Sequence, residues 1–132
     1  MFDTKGWHGD MATKVLVAED DELLSSLLVG RLQGAGYDTH AAYDGSATID
    51  EAKKWQPDLL VLDLLMPVKS GYDVLEAIRA DSGLAPMRVI VVSNLSAADD
   101  VDKARKYGVM AFLVKANTTP GEITEKVKSI LG

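Results

Sequence analysis

Three short runs of almost uninterrupted apolar residues constrain the fold of this chain more than any other feature. They are rich in leucine and β-branched residues, and they extend from Lys14 to Ala18, from Leu59 to Leu62 and from Val89 to Val92. Such runs, when bounded by polar or turn residues, are typical of strands that are buried on both faces. Strands of this kind occur in parallel sheets covered by helices on both sides. The chain is therefore predicted to be an α/β protein.

Segments with helical spacing alternate with the strands. The first carries five leucines, and the last opens with the capping sequence from Thr119 to Glu122, which has Pro at the first helical position. Leu27, Ile78 and Val91 are expected in the core. The other predicted elements are helices 21–33, 46–55, 72–80, 96–107 (capped by Ser96) and 120–131, and strands 37–42 (an edge strand) and 111–114. Together they form five βα units with right-handed crossovers.

The length of 132 residues suits one domain. Residues 1–12 are predicted to be a flexible leader or an artificial extension, in which Met11 is an alternative start, and residues 13–132 form the domain. Because the run 1–12 contains no basic stretch followed by an apolar segment, a secretory signal is not expected. No apolar run approaches the length of a membrane span. The expected location is the cytoplasm.

Charge and cysteine content exclude several function classes. The chain has 14 Lys and Arg against 20 Asp and Glu, a net charge of −6, which argues against direct nucleic-acid binding. It contains no Cys, so disulfides, thiolate catalysis and Cys-ligated zinc are excluded.

Polar residues stand at the carboxyl ends of four predicted strands. They are Glu19 and Asp20, Asp63, Ser93, and Lys115. The carboxyl edge of an open parallel sheet, where the strand order reverses, is where sites form. These side chains are therefore predicted to converge, although each one alone is explained as well by a helix cap or a surface charge. Asp20 is expected to cap the first helix as well.

The residue types predict the chemistry of this edge. Crowded carboxylates need a cation among them, and oxygen ligands without His or Cys favour a hard ion such as Mg²⁺. An Asp carboxylate is a known type of phosphoryl acceptor, while a Lys ammonium and a Ser hydroxyl can hold phosphoryl oxygens. A metal and a Lys supply the positioning and charge neutralisation that in-line phosphoryl transfer requires.

These residues resemble the receiver domains of bacterial response regulators over about Lys14 to Leu131. The run from Val15 to Asp21 resembles the first strand and acid pair, and the spacing Asp-x-x-Met-Pro-x-x-x-Gly from Asp63 to Gly71 resembles the phosphorylation segment. The strand that ends in Ser93 and the strand that precedes Lys115 match as well.

The resemblance implies a flavodoxin-like (βα)5 doubly wound sheet with strand order 2-1-3-4-5. It implies that Asp63 is the phosphoacceptor and that Ser93 and Lys115 bind the phosphoryl group. Phe112 matches an aromatic residue that changes rotamer, although it is equally well explained as a core residue. The implied Mg²⁺ ligands are Glu19, Asp20, Asp63 and the backbone carbonyl of Leu65.

Two positions depart from the family pattern. The residue after Ser93 is usually Ala or Gly and here is Asn94, and the residue after Lys115 is commonly a cis Pro and here is Ala116. Because a cis bond to a non-proline residue costs roughly 2.5–4 kcal/mol, the Lys115–Ala116 bond is predicted to be trans.

The sequence thus predicts a phosphorylation-operated signalling domain of a two-component system, and not an enzyme in the ordinary sense. Its partners would be a sensor histidine kinase or phosphotransfer protein and a downstream protein target, without direct contact to nucleic acid or membrane. Phosphorylation-dependent homodimerisation stays open. Slow autodephosphorylation is expected, because the apolar Leu65 and Leu95 flank the approach of water. The alternative is a pseudo-receiver that binds partners without phosphorylation.

Overall fold

A computed structural model of the protein describes residues 12–132, so the predicted leader lies, except for Ala12, outside the described residues. Within that range five strands alternate with five α-helices. The strands are β1 (Lys14–Ala18), β2 (Asp38–Ala42), β3 (Leu59–Leu62), β4 (Arg88–Ser93) and β5 (Ala111–Val114). The helices are α1 (Glu22–Gly34), α2 (Gly45–Trp55), α3 (Gly71–Ala80), α4 (Ala98–Arg105) and α5 (Pro120–Leu131), and a 3₁₀ turn (Lys115–Asn117) follows β5.

The strands form one parallel sheet in the order β2-β1-β3-β4-β5, which confirms the predicted fold. Ala18 pairs with Leu62, so β1 and β3 end at the same level. Ser93 pairs with Val114 at the ends of β4 and β5. The strand register therefore brings the four carboxyl ends to one edge of the sheet.

Each face of the sheet carries its own apolar core. On one face, alternate strand residues such as Leu60 and Val91 pack with α2, α3 and α4. On the other face, Val61 and Ile90 pack with α1 and α5. Because successive side chains of a strand point to opposite faces, an uninterrupted apolar strand serves both cores.

The expectation that Leu27 belongs to the core was wrong. Leu27 is 48% exposed, whereas Ile78 and Val91 are fully buried as predicted. Helix α1 turns the stripe that contains Leu28 and Leu32 toward the sheet. A helix lying on a sheet buries one stripe of its surface, so leucines beside that stripe stay in solvent.

Two predicted helix caps were also wrong. Asp21, not Asp20, caps α1, because its side chain accepts hydrogen bonds from the backbone of Leu23 and Leu24. Ser96 caps no helix: α4 begins after Ala97, has no side-chain cap and ends two residues before the predicted Tyr107. The capping box that opens α5 is present as predicted.

Arg79 of α3 connects three segments on one side of the molecule. Its guanidinium donates to the backbone carbonyl of Tyr107 at 2.6 Å and to the carbonyls of Ala85 and Met87 at 2.7 Å each. These carbonyls lie in the α4–β5 and α3–β4 connections. Arg79 therefore fastens both loops to α3 with charge-assisted hydrogen bonds.

Both ends of the described chain meet at the amino edge of the sheet. Ala12 and Leu131 line the same surface depression, together with Lys14 and Arg88. This depression lies at the opposite end of the strands from the carboxyl edge. Among the helices of residues 12–132, none has the length and apolar character that crossing a membrane requires.

Candidate functional site

The five predicted polar side chains stand at the carboxyl edge of the sheet. Glu19 and Asp63 directly follow the paired ends of β1 and β3, and Asp20 follows Glu19. Ser93 is the last residue of β4, and Lys115 follows β5. Strand β2 lies on one side of β1 in the sheet, and β3 lies on the other side. The site therefore occupies the point where the strand order reverses.

Three carboxylates form a compact cluster. Glu19, Asp20 and Asp63 each offer an oxygen, and these oxygens lie within 4.8 Å of one another. Glu19 and Asp63 are 3% exposed, while Asp20 is exposed. The cluster offers oxygen donors alone, which suits a hard divalent cation such as Mg²⁺. Its partly open arrangement, with one exposed acid, also suits an ion that keeps several waters.

Lys115 bridges the two buried acids. Its Nζ lies 2.8 Å from Oε1 of Glu19 and 2.9 Å from Oδ2 of Asp63. Burial alone lowers the pKa of Lys115, but the hydrogen bonds to Glu19 and Asp63 outweigh it and raise this pKa above its ordinary value. Burial raises the pKa of Glu19, and the hydrogen bond from Lys115 opposes that shift.

Backbone amides fix the remaining oxygens of the same two acids. Asp21 N–H donates to Oε2 of Glu19 at 2.9 Å, and Leu65 N–H donates to Oδ1 of Asp63 at 3.1 Å. Each buried carboxylate is thus held by the lysine on one oxygen and by a main-chain donor on the other. This arrangement holds both carboxylates in a fixed orientation.

Ser93, the predicted hydroxyl residue, is buried at the carboxyl end of β4. Ser93 is fully buried, and its Oγ accepts a hydrogen bond from Leu95 N–H at 3.3 Å. Phe112 of β5 is partly buried and packs against the core on the α2–α3–α4 face. Leu65 is 53% exposed, whereas Leu95 is partly buried against that same core.

Glycines let the loop after β3 pass close to its neighbours. A Cβ on Gly71 would lie 2.5 Å from the carbonyl oxygen of Asp63, so α3 can begin this close to the acid only with glycine. A Cβ on Gly45 would lie 2.0 Å from the carbonyl oxygen of Lys69. The start of α2 therefore packs directly on the loop that carries the acid.

Val68 occupies a strained position in this loop. Its φ is +70°, and Lys69 N–H donates to the carbonyl of Pro67 at 2.8 Å across it. This is the pattern of the rare γ-turn with positive φ. A β-branched residue in that region is a true outlier, yet the Val68 side chain is 76% exposed.

One contact at the site was not predicted. The side chain of Asn94 accepts a hydrogen bond from Ala116 N–H at 3.0 Å. These are the two residues at which the sequence departs from the receiver pattern. The Lys115–Ala116 peptide bond is trans, as expected.

Comparison with known proteins agrees with this architecture. Residues 15–128 match the family model described as the response regulator receiver domain. The chain is 31% identical over 122 residues to the polar-differentiation response regulator DivK of Brucella anthropi, covering 92% of this chain and 98% of that protein. The DivK of Brucella ovis matches to the same extent.

Solved structures show the same fold. The receiver domain of the Francisella response regulator 1452 superposes with a TM-score of 0.81 at 26% identity, covering 89% of this chain and 95% of that one. The chemotaxis protein CheY4 of Vibrio cholerae superposes with a TM-score of 0.82 at 24% identity, covering 90% and 98%. The second likeness concerns the fold alone.

Proposed function

The chain belongs to the response regulator receiver domain family of two-component systems, and from this premise we propose that Asp63 accepts a phosphoryl group in a Mg²⁺-dependent reaction. The observation that carries the proposal is the placement of Asp63. It is a buried carboxylate 2.9 Å from a lysine ammonium and within 4.8 Å of two further acids. We propose Ser93 and Lys115 as the phosphoryl-binding residues and Phe112 as the aromatic residue that changes rotamer.

In the proposed reaction a carboxylate oxygen of Asp63 attacks the phosphorus of a phosphohistidine. A new O–P bond forms as the N–P bond breaks, and the histidine nitrogen leaves with the bonding electron pair. Hydrogen bonds from Leu65 N–H and Lys115 hold the carboxylate before attack. Catalysis of this kind rests on positioning and on charge neutralisation.

The acids Glu19, Asp20 and Asp63, with the backbone carbonyl of Leu65, would hold Mg²⁺, which supplies positive charge to the transferring phosphoryl oxygens. Lys115, directly after β5, contributes a second positive charge. As Asp63 becomes phosphorylated, the Lys115 ammonium can exchange its carboxylate contact for a phosphoryl oxygen. The Ser93 hydroxyl can turn its proton toward another of these oxygens, because its Oγ accepts only from Leu95 N–H among the described groups.

The domain would act as a signalling switch that catalyses its own phosphorylation, and not as an enzyme that turns over a substrate. Its phosphodonor would be a sensor histidine kinase or a phosphotransfer protein, which presents the phosphohistidine at the carboxyl edge. The signal would pass by contact of β5 and its flanking helices, α4 and α5, with a downstream protein.

The test is labelling with acetyl phosphate and Mg²⁺, followed by intact-protein mass spectrometry. Wild type is expected to gain the mass of one phosphoryl group, while Asp63→Asn gains none. Asp50→Asn is the matched control, because Asp50 is an exposed acid on α2. Stoichiometric labelling of Asp63→Asn, or equal labelling of wild type in EDTA, would contradict the proposal. A wild type that never labels would favour a phosphorylation-independent binding module.

A further inference from the structure

We propose that Asn94 is a positioning residue for Lys115, and that it acts only as one half of a pair with Ala116. The pair consists of the Asn94 side-chain oxygen and the Ala116 backbone N–H. The inference rests on the proposed function for the role of Lys115 in phosphoryl transfer, although the contact itself is independent of that role.

The pair links the ends of two neighbouring strands. Asn94 directly follows Ser93, Ala116 directly follows Lys115, and β4 and β5 are paired where Ser93 meets Val114. The hydrogen bond of 3.0 Å spans 22 residues of sequence. The group that faces Ala116 N–H must be an acceptor, so the side-chain oxygen of Asn94, and not its amino group, points to it.

This bond fixes the peptide plane that follows Lys115. The N–H of that plane donates to Asn94, and its C=O, which belongs to Lys115, accepts from Thr118 N–H at 3.3 Å. The Thr118 hydroxyl also donates to the carbonyl of Val114 at 2.8 Å. Because a peptide unit is planar, holding both of its ends fixes its orientation. The Cα of Lys115, from which the side chain reaches Glu19 and Asp63, is held with it.

The two departures from the receiver pattern therefore compensate each other. A proline after the lysine fixes the backbone through its ring but has no N–H to donate. With Ala116 in that place the backbone is freer, and residue 116 has an N–H. If a small residue followed Ser93, this N–H would have no side-chain acceptor. Asn94 supplies that partner. A side-chain amide at residue 94 thus has this role only when residue 116 has a backbone N–H to donate.

Hydrogen exchange of the Ala116 amide tests the contact without any need for phosphorylation. Asn94→Ala is expected to speed this exchange about tenfold or less, as the loss of one modest hydrogen bond allows. Asn94→Asp keeps an acceptor and should retain the protection. Asn117→Ala is the control, because Asn117 is an exposed asparagine in the same turn. Unchanged exchange in Asn94→Ala would overturn the proposal.

The positioning role is tested by the maximal labelling rate at saturating acetyl phosphate and Mg²⁺. Asn94→Ala should lower this rate by about three- to tenfold. The double variant Asn94→Ala, Ala116→Pro should show no further loss, because the proline fixes the backbone through its ring and leaves no N–H at residue 116 for Asn94 to accept from. The Mg²⁺ concentration for half-maximal labelling should not change, because the acids are untouched.

Several outcomes would overturn the inference. A double variant that labels more slowly than Asn94→Ala would show that the two residues act separately. A normal rate in Asn94→Ala with accelerated Ala116 exchange would show that the contact has no positioning role. If wild type does not label at all, the proposed function fails instead. The positioning role would then be decided by whether a crystal structure of Asn94→Ala retains the contact between Lys115 and Asp63, and its retention would count against the role.

Discussion

The phenolic hydroxyl of Tyr72 donates a hydrogen bond to Oδ1 of Asp100 at 3.0 Å, and so joins α3 to the first turn of α4. The Lys103 ammonium lies 4.1 Å from the centre of the Tyr72 ring, one turn further along α4. Helix α4 has no side-chain cap, and Ala104 is its one buried residue. The Tyr72 side chain is therefore a main attachment of α4 to the rest of the domain.

Removing the Tyr72 hydroxyl should loosen α4 selectively. In Tyr72→Phe we expect faster hydrogen exchange for the amides of α4, by several-fold, and unchanged exchange in β1 and β3. Tyr43→Phe is the control, because Tyr43 is exposed and lies outside this contact. Equal acceleration throughout the sheet would mean that Tyr72 supports global stability and not α4 in particular.

The same contact should make stability fall at high pH. Burial, with the hydrogen bond to Asp100 and its negative charge, raises the pKa of Tyr72 to about 12, above the ordinary value of 10.0. The folded state then holds the phenolic proton more tightly than the unfolded state. Its contribution is complete below pH 10 and is lost as the pH rises toward 12. The stability difference between wild type and Tyr72→Phe, measured by urea unfolding, should shrink across that window and stay constant below it.

Arg79 should contribute strongly to the stability of the fold. Arg79→Met leaves the carbonyls of Ala85, Met87 and Tyr107 without their donor, and we expect a loss of about 2–4 kcal/mol in the free energy of unfolding. Arg79→Lys should recover part of this loss, because one ammonium cannot match the fork of a guanidinium. Arg105→Met, at an exposed arginine of α4, serves as the control. A loss of no more than about 0.5 kcal/mol, which is typical of a neutral surface substitution, would contradict this role of Arg79.

Relief of backbone strain at Val68 should stabilise the protein. Asparagine tolerates positive φ better than a β-branched residue does, so Val68→Asn is expected to raise the free energy of unfolding by about 1 kcal/mol. Val68→Thr keeps the branching at Cβ and should give no gain. If Thr and Asn stabilise equally, the effect comes from replacing an exposed apolar side chain and not from strain.

Once phosphorylated, the domain should lose its phosphoryl group slowly. Leu65 and Leu95 offer no hydrogen bond to a water that approaches opposite the Asp63 oxygen, so a lifetime of many minutes or longer is expected. The measurement follows loss of phosphate from purified phosphoprotein with Mg²⁺ and without a partner. Decay within seconds would contradict the prediction, as would a Leu65→Asn, Leu95→Glu variant that decays no faster. Leu65→Asn alone controls for disturbed packing, because only Leu95 packs on the core.

The sheet and its polar edge could be predicted because their signals are regular. Apolar runs marked β1, β3 and β4 to within a residue, and a polar residue at the end of a parallel strand has only one edge to occupy. It was harder to predict which side of each helix faces the core. Five leucines in α1 are more than one stripe can bury, so periodicity alone could not exclude Leu27 from the core.

The contacts that were missed depend on backbone geometry. Serine favours the N-cap position in general. Here Ala97, with extended backbone, occupies that position, and Ser96 lies one residue before it. Val68 carries no sign of positive φ, since glycine and asparagine are the residues that mark it. The Asn94 contact joins a side chain to a main-chain N–H far away in sequence, and no residue pattern encodes such a pair.

The shared position of Ala12 and Leu131 has a practical consequence for handling the molecule. A strand of five residues is about 16 Å long, so anything attached at this depression is separated from the acids by the full height of the sheet. A surface anchor or a fluorescent fusion at either position would leave the opposite pole facing solution. Immobilised receiver and free phosphodonor could then be brought together in a flow cell with the cluster of acids always facing solution.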